Sequence, residues 1–126
     1  MPTRKEHIDK AKHNEQFYSS FDLNTTPFLD WVVNGIFYSA LHYLDSYFAG
    51  KAGKGRHPGD HKERIKLIWA YPDLGRSFFR LYMHLKDDSE AGRYDTRVFA
   101  PDAIRRDIIP KLNDIKTHLK RYLPEI

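Results

Sequence analysis

Residues 31–44, Trp-Val-Val-Asn-Gly-Ile-Phe-Tyr-Ser-Ala-Leu-His-Tyr-Leu, form the longest run in the chain without Asp, Glu, Lys or Arg. Fourteen residues are too few to cross a bilayer and suit a helix buried on nearly all sides. Within and just beyond this run, Asn34, Tyr38, His42 and Asp45 recur at steps of four, four and three, so they share one side of that helix. A polar stripe on an apolar helix needs partners, because a buried amide or imidazole without a hydrogen bond costs about 1–3 kcal/mol. The stripe therefore pairs with other polar groups or lines a wet cleft. Asn14 poses the same requirement, since it falls on the face of the preceding helix that carries Ala11, Tyr18 and Phe21.

Outward from this central segment, every periodic stretch reads as helix. Thr3 with Glu6 has the form of a capping box and opens a first helix over about residues 4–22. Thr26 as N-cap and Pro27 at the first helical position start the central helix, which ends near Gly50. Asp60, with Glu63 three residues later, caps a third helix that Pro72 terminates. Leu74, Phe78, Leu81, Tyr82 and Leu85 mark a fourth, with Asp87-Asp88-Ser89 to Asp95 as its end and connection. Pro101 and Asp102 open the last, whose stripe runs Ile104, Ile108, Leu112, Ile115, Leu119 and Tyr122; Pro110 should kink or split it near Ile109. No period-two strand, repeat or linker interrupts the pattern. The expectation is all-α: an up-and-down bundle of four to five helices forming a single domain over residues 1–126.

Composition narrows the function. The absence of cysteine rules out disulfides, thiolate metal sites, iron–sulfur clusters and a cysteine nucleophile. The polar N-terminal segment carries no apolar leader region, so a cytoplasmic location with no membrane association is expected. Between Lys51 and Lys66 six bases (Lys51, Lys54, Arg56, Lys62, Arg64, Lys66) face two acids (Asp60, Glu63), which accounts for the whole net charge of +4. Such a segment is either a solvated loop or a surface for an anionic partner such as RNA, DNA or a nucleotide.

Familiar cofactor and metal patterns fail. His57 and His61 straddle Pro58-Gly59, no His-Glu-x-x-His is present, and Gly50 to Gly55 lacks the phosphate-loop arrangement, so no cofactor and no metal are expected. What remains is Arg56 with His61 in the most basic part of the chain. A histidine can act as general acid or base at an RNA 2′-hydroxyl or its leaving oxygen, while an arginine stabilises the extra charge on phosphorus, with no metal required.

The order Ala11-x-x-Asn14-Glu15, Asp30-Trp31-x-Val33, Phe37-Tyr38-Ser39-Ala40-Leu41-His42, His61-x-x-Arg64 and Ser89-Glu90-Ala91-Gly92-Arg93-Tyr94 resembles small prokaryotic HEPN-domain proteins (higher eukaryotes and prokaryotes nucleotide-binding). The resemblance covers most of the chain to about Tyr94. It implies a four- or five-helix bundle, usually a homodimer. Many such proteins are metal-independent endoribonucleases, including toxins of toxin–antitoxin pairs, and others only bind nucleotides or RNA. Carried onto this chain, it implies His61 and Arg56 as catalytic residues, with Arg64, Arg93, His42, Tyr38, Asn14 and Tyr94 as RNA- or nucleotide-binding residues. The alternative is a non-catalytic helical module for a nucleotide or a partner protein such as a nucleotidyltransferase.

Overall fold

The structure, a computed structural model, describes residues 2–51 and 58–126. Arg56 and the adjacent His57, the basic half of the expected catalytic pair, lie outside the described residues. Those described are all helical, without a strand, in five helices: α1 (Arg4–Ser19), α2 (Leu29–Ala49), α3 (His61–Ala70), α4 (Gly75–Tyr94) and α5 over residues 101–119. The last is built from Pro101–Ala103, a π-helical segment Ile104–Ile108 and Ile109–Leu119.

α2 is the hub, and 15 of its 21 residues are buried, so it can pack on several neighbours at once. It lies against α1, α4 and the C-terminal part of α5, while α3 packs on α4. Phe37, Tyr43, Leu44 and Phe48 of α2 meet Phe78, Tyr82 and Leu85 of α4 and Ile104, Leu112 and Ile115 of α5 in one hydrophobic cluster. Contacts of His7 with His42, of the Ala11 carbonyl with the Ser39 hydroxyl, and of Phe17 with Gly35 run in opposite chain directions, so α1 and α2 are antiparallel. Gly35 matters to this pair: a Cβ there would stand 3.2 Å from Tyr18 Cβ and 3.3 Å from the Phe17 ring.

The N-cap residues at α1 and α3 act as expected, but only α1 completes a capping box. The Thr3 hydroxyl accepts from Glu6 N and the Glu6 carboxylate accepts from Thr3 N, completing the capping box. Asp60 accepts from Glu63 N, although the Glu63 carboxylate reaches back to Gly59 N instead of to Asp60.

Three boundaries differ from expectation. α1 stops at Ser19 rather than near residue 22, where the Ser20 hydroxyl turns back onto the Phe17 carbonyl. α2 begins at Leu29, because the Thr26 hydroxyl accepts from Phe28 N and thereby makes a turn, not a helix cap. α4 runs through Asp87-Asp88-Ser89 to Tyr94, since Ser89 is fully buried and bonded across to α2. At Pro110 the helix neither breaks nor splits. Ile109 N–H donates to the Ile104 carbonyl five residues back, and this wider turn immediately precedes the proline that has no N–H to give.

Candidate functional site

The members of the α2 polar stripe find their partners on three other helices. Asn34 Oδ1 accepts from the Ser89 hydroxyl of α4 at 2.8 Å. The Tyr38 hydroxyl accepts from Arg93 Nη1 at 2.9 Å, and the same Nη1 also donates to Ser89 Oγ at 2.9 Å. His42 Nδ1 lies 3.2 Å from His7 Nδ1 of α1. Asp45 takes both arms of Arg64 from α3, at 2.7 and 2.9 Å, with both residues buried. The stripe thus ties α2 to α1, α3 and α4.

Its outer part is also the wall of a groove. Asn34, Tyr38 and His42, with Trp31 and Gly35 before them, face Lys10, His13, Asn14 and Phe17 of α1 across a cleft of about 470 Å³, and Arg93 of α4 closes one side. Two cations, five aromatic or imidazole-bearing side chains from α1 and α2 and two amides converge there, and no Asp or Glu lines it. The spacing explains the convergence: positions 10, 14 and 17 on α1 and 31, 34, 38 and 42 on α2 are the facing stripes of two antiparallel helices. Trp31 and Phe17 are each about half exposed at 53% and 44%, which leaves ring faces open to a ligand.

Of the expected site residues, Asn14, Tyr38, His42 and Arg93 meet in this groove. Tyr94 stands outside it, 82% exposed, with its ring 5.2 Å from the Arg93 guanidinium carbon. Arg64 is committed to Asp45 and is 7% exposed, so its guanidinium faces that buried carboxylate and not the groove. Burial is the largest single influence and opposes the Arg64 charge, but the bond to Asp45, the charge of Asp45 and the nearby Tyr82 together outweigh it, and its pKa is raised. His61 sits beside Arg64, its Nδ1 3.4 Å from Nη1 and its ring 5.9 Å from that of Phe37, and is not a wall of the groove. Burial, then the charges of Arg64, Lys86 and Arg93, push its pKa down.

His7, Lys10, His13, Phe17 and Trp31 were not among the expected site residues. The available signal was the same periodicity that picked out the α2 stripe, applied to the facing side of α1. The fold also gathers three side chains that sequence spacing separates: one ligand atom each from His7, His42 and Asp45 lie within 4.8 Å of one another.

His42 carries a consequence for stability. Burial, then the nearby His7, with Lys10 and Arg64 adding to them and Asp45 opposing, hold its pKa down at about 4 against an ordinary 6.5. Between these values the unfolded chain binds the proton and the folded chain does not, so stability falls as pH drops through this window. Thermal melts should show a lower midpoint at pH 5 than at pH 7, and His42→Gln should shrink that difference. An unchanged difference would exclude His42 as its source.

No family model matches the chain, and neither a characterised protein nor a solved structure does. Among the described residues no helix is long and apolar enough to cross a membrane.

Proposed function

We propose that the groove between α1, α2 and α4 binds a nucleotide unit, free or within single-stranded RNA. The observation that carries this reading is the pairing of Lys10 and Arg93 with the open faces of Trp31 and Phe17 in a cleft that no acid lines. A phosphate is attracted to the cations, and a base stacks on an aromatic face, an arrangement tolerant of sequence. Asn14, Asn34 and His13 supply polar edges for hydrogen bonding to the base or sugar. A cleft of similar size near Pro27 and Phe99, about 480 Å³, is lined by Asp30 and Asp95 as well as Arg97 and is less suited to an anion.

The reading is one of binding rather than cleavage: His61, the expected acid or base, contacts Arg64 and lies off the groove wall, and of the two groove histidines, His13 and His42, the second is held down to a pKa of about 4. The resemblance to HEPN proteins, read from the sequence, supports the same ligand class. It also supports taking the five helices as an up-and-down bundle that pairs as a homodimer; in the alternative reading the bundle is a non-catalytic module whose partner is a nucleotidyltransferase-type protein.

Trp31 is a built-in reporter. With Trp69→Phe removing the other indole, titration with single-stranded oligoribonucleotides and with mononucleotides should quench Trp31 fluorescence saturably, and added salt should weaken the effect. Absence of quenching and of any competing association by either ligand class would overturn the proposal.

A further inference from the structure

We propose that His7, His42 and Asp45 form a binding site for a late first-row divalent metal ion, for which Zn²⁺ is the probe. This is independent of nucleotide binding. The ligand atoms come from two helices whose antiparallel packing fixes them: His7 continues the α1 stripe one turn beyond Lys10, and Asp45 continues the α2 stripe one turn beyond His42.

The two Nδ1 atoms are 3.2 Å apart. Two imidazole nitrogens on one tetrahedral zinc, each about 2.0–2.1 Å from the metal, stand about 3.3 Å apart, so this pair is already at ligand spacing. The widest separation within the three-atom set is no more than 4.8 Å. Closing it to tetrahedral spacing takes a movement on the order of 1–1.5 Å, within reach of a carboxylate rotation.

The surroundings choose the metal. Arg64 uses one lone pair on each Asp45 oxygen, at 2.7 and 2.9 Å, and leaves the others for a cation. Its charge also cancels that of Asp45. With Lys10 also near His42, the site carries no net negative charge, so attraction comes from nitrogen donors. That favours Zn²⁺, Cu²⁺ or Ni²⁺ and disfavours Mg²⁺ and Ca²⁺, which need several hard oxygens. His7 and Asp45 are buried, at 6% and 4% exposure, whereas His42 also reaches the groove. Three protein ligands leave a fourth coordination position for water or another ligand.

The full chain, stripped with EDTA and dialysed, is titrated with Zn²⁺ by calorimetry and followed by thermal melting. One ion per chain and a raised melting midpoint are expected, with no response to Mg²⁺ at the same concentrations. His7→Gln should weaken binding at least tenfold, while His118→Gln, on α5, should leave it unchanged. Because His7→Gln touches the core, the unmutated protein provides a second measurement: the imidazole ¹⁵N resonances of His7 and His42 should shift on adding Zn²⁺. No saturable binding would overturn the proposal, and so would binding that leaves those two resonances in place.

Discussion

Arg64→Ala is expected to lower folding stability by about 3–5 kcal/mol, the largest effect of any single replacement at the polar stripe. Its partner Asp45 is 4% exposed, so truncating the arginine strands a carboxylate where water cannot reach it. The loss reports that penalty more than the worth of the pair, because bringing both charges out of water cost nearly what their attraction returned. A double replacement tests this directly. Asp45→Leu combined with Arg64→Met removes both charges at similar volume and should recover most of the lost stability in urea unfolding. If the double variant is as unstable as Arg64→Ala alone, the ion pair is a true source of stability and the argument fails. The pair also joins α3 to α2, so Arg64→Ala should loosen α3 first. That would appear as faster amide exchange over His61–Ala70 than in α2.

This pair illustrates what one sequence can and cannot disclose. The stripe Asn34, Tyr38, His42, Asp45 was visible because helical periodicity acts over a few residues, and so was its need for partners. The partners were not visible as such. His7 lies 35 positions from His42, and Ser89 lies 55 from Asn34; only the packing of α1, α3 and α4 around α2 decides which polar group meets which. Arg64 entered as a candidate phosphate contact through the family resemblance, and nothing in the local sequence distinguishes a guanidinium aimed at solvent from one aimed at Asp45.

The same division governs helix ends. Thr3 with Glu6, Asp60 and Pro72 act through neighbours a few residues away, and each does what its chemistry suggests. Thr26 and Pro27 carried an equally good start signal, but the hydroxyl bonds Phe28 N as a turn and delays α2 to Leu29. Asp87-Asp88-Ser89 resembles a connection because these residues favour turns. Tertiary burial of Ser89 overrides that preference and carries α4 to Arg93. The groove depends on that extension: had the helix ended at Asp87, no guanidinium would stand opposite Tyr38.

Arg93→Ala is therefore the replacement expected to change ligand affinity most. The side chain is half-buried, with Nη1 donating to Tyr38 and Ser89. Those bonds hold the guanidinium at the groove wall before any ligand arrives, so little rotamer entropy remains to be lost on binding. A charge-assisted bond to a phosphate contributes about 1.5–3 kcal/mol, so affinity for a single-stranded oligoribonucleotide should fall by about 10- to 150-fold. The dependence of log affinity on log salt should become shallower by about 0.7, the share of one phosphate contact on a single strand. Arg93→Lys separates charge from geometry. It keeps the cation and the salt slope but has no second nitrogen to offer the phosphate while the first stays bonded to Tyr38 and Ser89, so its affinity should fall between the two. Lys10→Ala, on the opposite wall and exposed, has no such pre-positioning and should cost less than Arg93→Ala while flattening the slope similarly. If Arg93→Ala left both affinity and salt slope unchanged, the phosphate would have to lie elsewhere, and the groove would lose its claim to the ligand.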